Sequence, residues 1–198
     1  MSIVLLSGSP SSPSRSARLL DLVGRRLNDR GHDTELLTLR DLPAQPLLRA
    51  DTHDRVIAEA VDKVARSKAL VVATPVYKAA YSGLLKTFLD LLTQDGLLGK
   101  VVLPLATAGS PAHVLALDYA LRPVLQSLGP SHILGGVYAT DRQIRWDEST
   151  GLSVDEDIEW RISLAVDQLD ESLHLRAHSD RLRKANADAS GLLAAQRC

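Results

Sequence analysis

The chain has 198 residues, with 23 Lys and Arg against 24 Asp and Glu, a formal net charge of −1, and 45% hydrophobic residues. That is enough for one well-filled core, but it lacks the broad positive field needed for sequence-independent nucleic-acid binding. No apolar window approaches the roughly 20 residues of a membrane-spanning helix, so neither nucleic acid nor membrane is expected as a partner.

Residues 3–6 read as a buried strand, too short for a signal-peptide core and without a basic residue ahead of it. A loop rich in hydroxyls follows, and then a helix with Leu20, Val23 and Leu27 on one face, stopped by Gly31. The second strand is expected at 36–39. Residues 40–53, with Pro43 and Pro46, read as a long surface connection. Val56, Ala60 and Val64 mark the next helix, and 69–73 the third strand. Leu84, Phe88, Leu91 and Leu92 share a helical face; strand four is expected at 101–106. Leu117, Leu121, Val124 and Leu128 form another face, closed by Gly129-Pro130, ahead of a fifth strand at 133–137. Residues 140–154 form a polar excursion around Trp146, and Ile158, Ile162, Ala165, Leu169 and Leu173 mark a last helix.

Five strands, each followed by a helix, predict an α/β fold: a parallel sheet with helices on both faces, joined by right-handed crossovers. Residues 1–176 make one domain. The tail 177–198 is Arg-, Ala- and Asp-rich without apolar periodicity, and is either disordered or ordered against another subunit. The single cysteine, Cys198, excludes an intrachain disulfide and suits a reducing, cytoplasmic setting.

Open parallel sheets bind ligands beyond the carboxyl ends of their strands, so three loops carry the expected chemistry. The first, residues 7–16, places Ser9, Ser14, Arg15 and Ser16 at a helix start, where unpaired amides and the helix dipole favour an anion. A terminal phosphate monoester would suit it; so would the plainer reading of an N-capped helix behind a solvated turn. Neither G-x-G-x-x-G nor G-x-x-x-x-G-K-[ST] is present. In the second loop Pro75 is expected to end the strand and free the amides beyond it. Tyr77 and Tyr81, in a chain 4% aromatic, suggest a wall for a ring or cover for a sheet edge. The third loop, with Thr107, Ala108, Gly109, Ser110 and His113, is small enough to approach a flat ring.

Together the three loops resemble the NAD(P)H-dependent FMN reductase family, in particular the reductase component of two-component alkanesulfonate monooxygenases. The resemblance rests on Gly8-Ser9-Pro10, Ser14-Arg15-Ser16, the string 73–87, and the segments 99–107 and 118–125, and spans roughly residues 1–140. It implies a flavodoxin-like fold, with strand order 2-1-3-4-5. Ser9, Ser14, Arg15 and Ser16 would hold the FMN phosphate. Pro75, Val76, Tyr77 and Lys78 would line one side of the isoalloxazine, with Ser82 and Gly83 nearby, and Thr107, Ala108, Gly109, Ser110 and His113 would approach its pyrimidine end. Where the wider family often has an arginine two residues after the loop glycine-serine pair, this chain has Ser11. The resemblance further implies NADPH or NADH as reductant and a π-bulge at Tyr119 in a dimer or tetramer interface. It also implies a flavin-dependent monooxygenase partner serving sulfur assimilation.

Hydride transfer between nicotinamide and flavin needs no catalytic acid, base or nucleophile, because the cofactors carry the chemistry. No triad or metal centre is therefore expected; His174 and His178 have i, i+4 spacing but lack the glutamate of H-E-x-x-H. The backbone amides of 76–78 are the candidates for polarising the ring. Two other readings stand beside this one. A quinone or azo reductase with resident FMN would use the same loops, and a flavodoxin-like electron carrier would hold its flavin tightly. Such carriers tend to be strongly acidic, which a net charge of −1 is not.

Overall fold

The computed structural model describes residues 2–147, 149 and 151–195, with the side chains of the last helix described through 179 and at 181–183. Cys198 lies outside the described residues.

Strand β1 (Ser2–Ser7) lies between β2 (Asp33–Thr38) and β3 (Ala69–Tyr77), and β3 pairs in turn with β5 (Val101–Ala108), all parallel. The short strand β4 (Ala80–Tyr81) folds back antiparallel onto β3. Two further strands, β6 (His132–Ile133) and β7 (Val137–Thr140), follow one another along the far side of β5. Leaving out β4 and joining β6 to β7, the order is the expected 2-1-3-4-5. Helix α1 (Arg15–Asp29) and α6 (Glu156–Ala195) cover one face, burying Leu19, Leu20, Val23, Ile158, Ile162 and Leu169 with Ile3, Val71 and Leu103. Helices α3 (Arg55–Arg66), α4 (Gly83–Leu89) and α5 (Arg122–Ser127) cover the other, around Phe88, Leu70 and Val102. Strands buried on both faces explain why the sequence shows continuous apolar runs rather than alternation.

Several sequence expectations are corrected or refined. The third strand does not end at Pro75 but continues to Tyr77, with Pro75 paired to Thr107 of β5. The reason is that β1 leaves the sheet after Ser7, paired to Ala73, so Thr74 and Pro75 have a strand partner on one side only, before β4 pairs with Val76 and Tyr77. Proline is tolerated on such an edge. The fifth strand is broken: Val102 pairs with Ile133 but Leu105 with Val137, so one extra residue bulges out between them. Pro104 lies opposite the break and has no amide to donate. A Cβ on Gly136 would sit 2.9 Å from the Pro104 carbonyl oxygen and 2.8 Å from Leu117, so only glycine allows this approach. Arg122 donates to the carbonyls of Ile133 and Leu134, each at 3.1 Å, holding the break closed.

The connection 40–53 is shaped rather than open. A 3₁₀ turn, Leu39–Asp41, and a short helix α2 (Ala44–Leu48) bury Leu39 and Leu47. Pro46 falls in the first turn of α2, where no amide hydrogen bond is lost. The polar excursion is an antiparallel hairpin, β8 (Ile144–Asp147) with β9 (Gly151–Val154), laid against α1 with the Arg18 guanidinium 4.1 Å over the Trp146 ring. Helix α6 runs on past position 177. Its first half is clamped to α1 and the turn beyond it by Arg26 on Glu159, Arg30 on Asp167 and His32 on Asp170 (2.7 Å). No described helix is long and apolar enough to cross a membrane.

Candidate active site

Every strand of the parallel sheet points its carboxyl end at the same rim, and a cleft of about 210 Å³ opens there. Ser9, Ser11, Pro13, Ser14 and Arg15 line one side, Pro75, Val76 and Tyr77 another, and Thr107, Ala108, Gly109 and Asp141 the third.

The first side is built by capping. Ser14 has extended backbone and is the N-cap of α1, its Oγ accepting from the Ala17 amide at 3.3 Å and lying 3.0 Å from Ser16 Oγ. The amides of Arg15 and Ser16 head the helix with no carbonyl a turn below, so they and the dipole face an incoming anion. Ser9 is buried, and its Oγ accepts from the Ser11 amide at 3.3 Å. Arg40, from the 3₁₀ turn after β2, donates to the Ser11 carbonyl at 2.7 Å and braces the loop from outside. At the root of the loop, the Gly8 amide donates to Ala73 O at 2.8 Å. A Cβ at Gly8 would lie 2.9 Å from Leu85 Cβ and 3.2 Å from that same carbonyl oxygen, so the loop is pressed onto β3 and α4.

The second side depends on a tight reversal. Lys78 and Ala79 have φ of 51° and 65°, the left-handed pair of a two-residue hairpin turn between Tyr77 and Ala80. Neither residue is glycine, so the turn carries backbone strain, a feature that concentrates at ligand sites. Buried Ser82 fastens the hairpin to the first side. Its amide donates to Thr74 Oγ1 (3.0 Å), its Oγ accepts from the Leu85 amide (3.1 Å) as N-cap of α4, and the same hydroxyl donates to the Gly8 carbonyl. Tyr77 remains 46% exposed and lines the cleft.

The third side follows β5 and β7. Ser110 caps a 3₁₀ turn, Pro111–His113, and its carbonyl accepts from the Tyr138 hydroxyl. Burial, and secondarily the nearby Asp141 charge, raise the Tyr138 phenol above its ordinary pKa. The Asp141 amide donates to Ala108 O at 2.9 Å, and its carboxylate pairs with Arg15 at 3.3 Å across the mouth of the cleft.

Nine of the residues singled out in the sequence therefore meet around one cleft: Ser9, Ser14, Arg15, Pro75, Val76, Tyr77, Thr107, Ala108 and Gly109. Six lie beside it. Ser16 is buried behind Ser14, Lys78 is at the exposed hairpin tip, Ser82 and Gly83 start α4, and Ser110 and His113 belong to the 3₁₀ turn. Tyr119 is 80% exposed within a π-helical turn, Leu117–Leu121. His174 is paired with Asp170 at 3.1 Å, away from the cleft. Ser11, Pro13 and Asp141 line the cleft without having been singled out. Asp141 stands directly after the fifth strand, and the rule that placed the other three loops would have found it there too.

A parallel sheet in this order, with a cleft at its carboxyl rim between the start of α1 and Tyr77, defines a flavodoxin-like fold. The signature of the NADPH-dependent FMN reductase family matches residues 1–144. The chain belongs to that family. It is 43% identical over 178 residues to the FMN reductase (NADPH) of Escherichia coli K12, covering 89% of this chain and 92% of that one. To the FMN reductase (NADPH) of Pseudomonas putida it is 46% identical over 150 residues, 76% of each chain. Among solved structures, the apo form of the NADH:FMN oxidoreductase EmoB superposes with a TM-score of 0.80 at 43% identity, over 86% of this chain and 89% of that one.

Proposed function

We propose that this chain reduces FMN with NAD(P)H in the cleft described above and hands the reduced flavin to a flavin-dependent monooxygenase, working as a homo-oligomer. The reductase activity follows from family membership; flavin hand-over and assembly are the finer part of the reading. The donor set fits FMN: hydroxyls, amides and one guanidinium at a helix start for a phosphate, and a half-exposed tyrosine beside small residues for a ring.

Ser9, Ser14, Arg15 and the first amides of α1 would hold the phosphate. Pro75, Val76 and Tyr77 would wall one face of the ring, and the backbone of Thr107, Ala108 and Gly109 would meet its edge. Bound there, FMN would supply the two-electron acceptor for a hydride from the nicotinamide. The chain's own work is to orient the ring and leave its other face open to the nicotinamide, within roughly 3–3.5 Å for the reacting atoms.

One observation carries the hand-over: among the described residues lining the cleft, Tyr77 is the sole aromatic, and the facing side is Thr107, Ala108 and Gly109. A ring walled on one side exchanges more readily than one held between two aromatics. The exposed Tyr119 on its π-helical turn, against which β4 packs, is our candidate for a subunit contact close to the site.

NAD(P)H oxidation measured with and without added FMN tests the reading. Turnover that depends on free FMN, with ternary-complex kinetics, supports it. Ping-pong kinetics with a quinone, or FMN inseparable from the purified protein by dialysis, overturns the hand-over and leaves the family intact.

A further inference from the structure

Resting on that placement of FMN, we infer that Asp141 limits how tightly the cleft retains a phosphorylated flavin, by competing with the phosphate for Arg15. Among the described residues lining the cleft, Arg15 is the only cation and Asp141 the only anion, and they face each other at 3.3 Å. The Asp141 backbone is fixed by its amide on Ala108 O (2.9 Å), so the carboxylate is held at the mouth rather than carried on a free loop. It also lies over Gly109, where a Cβ would stand 3.9 Å from Oδ2.

An entering phosphate meets this pair as a third charge. Arg15 has five N–H donors and can serve two anions in part, but a phosphate close enough to use the guanidinium is also close to the Asp141 carboxylate. Either the Arg15–Asp141 contact opens or two like charges share one cation, and both weaken binding. The hydroxyls and helix-start amides are neutral donors and are not spent on Asp141, so binding persists at reduced strength. The side chains are 50% and 41% exposed, so the effect is moderate and sensitive to salt. A reductase that releases its product flavin is served by such a counter-charge.

The test is the dissociation constant of FMN, and separately of riboflavin, from flavin fluorescence. It is read on the wild-type chain and on Asp141→Asn, Arg15→Ala and the double variant, at low and high salt. Asn keeps the shape and removes the charge, so D141N is expected to tighten FMN roughly three- to tenfold at low salt. That gain should shrink at high salt, shrink in the R15A background, and be absent with riboflavin, which has no phosphate. Asp141→Ser gives a second neutral variant if D141N unfolds. Unchanged or weaker FMN binding in both neutral variants, with R15A still weakening FMN, overturns the role of Asp141 and leaves the phosphate placement standing. An equal gain with riboflavin, or an equal gain in the R15A background, overturns competition for Arg15. If R15A leaves FMN affinity unchanged, the phosphate placement itself fails and this inference with it.

Discussion

The two ends of the central sheet use similar polar residues to opposite ends. At the carboxyl rim, Ser9, Ser14, Arg15 and Asp141 border a cleft, and the Arg15 and Asp141 side chains remain about half-exposed. At the amino rim, Lys100, Ser67 and Ser131 are consumed by the fold. Lys100 Nζ donates to the carbonyls of Ala65 and Ser67 at 2.7 and 2.8 Å, Ser67 Oγ to Val64 O, and Ser131 Oγ to Lys100 O. The difference follows from helix direction. Crossovers between parallel strands bring helix starts, with spare amides, to the carboxyl rim and helix ends, with spare carbonyls, to the amino rim. Spare amides attract anions from solution, whereas spare carbonyls are most simply met by a cation of the chain itself.

The largest effect that would sharpen this contrast is expected from Lys100→Met. The residue is 7% exposed, and its loss strands two carbonyls at the end of α3. Chemical denaturation should show a stability loss of about 2–4 kcal/mol, with FMN affinity unchanged in the protein that remains folded. Burial, and secondarily Lys68, lower the Lys100 pKa in the folded chain. Between that lowered value and the ordinary lysine value the unfolded chain binds more protons, so this residue makes stability rise with pH across that alkaline window. The Met variant should lack this part of the rise.

Gly8→Ala should be felt at the opposite rim in both stability and binding, because the added methyl has backbone and Leu85 on either side. Overpacking of this kind costs about 1–3 kcal/mol, and the FMN KM should rise as the loop shifts; a variant with wild-type thermal midpoint and KM would show that the loop has slack. Arg15→Ala is the complement. It should raise the FMN KM by an amount equivalent to about 1–3 kcal/mol, while moving stability by no more than about 0.5 kcal/mol, as for other exposed side chains. A large stability loss in this variant would erase the distinction between the two rims.

Much of the site was legible in the sequence because its parts are local. Ser14 caps the helix that follows it by accepting from the amide three residues on, a relation readable from spacing alone, and the apolar runs mark the strands whose carboxyl ends collect the loops. What escaped the sequence depends on partners far away in the chain. Pro75 looked like a strand end, and only the departure of β1 at Ser7 makes it an edge position that continues to Tyr77. The fifth strand looked continuous, and only Pro104, thirty or so residues earlier, makes room for the bulge at Gly136. The strand-end rule marks the position of Asp141, but only the sheet order sets its carboxylate across the cleft from Arg15. Periodicity and capping act over a few residues and so determined the elements, the fold class and the helix start that borders the cleft. Pairing register and charge facing charge act across the folded distance, and the tertiary structure alone decided those.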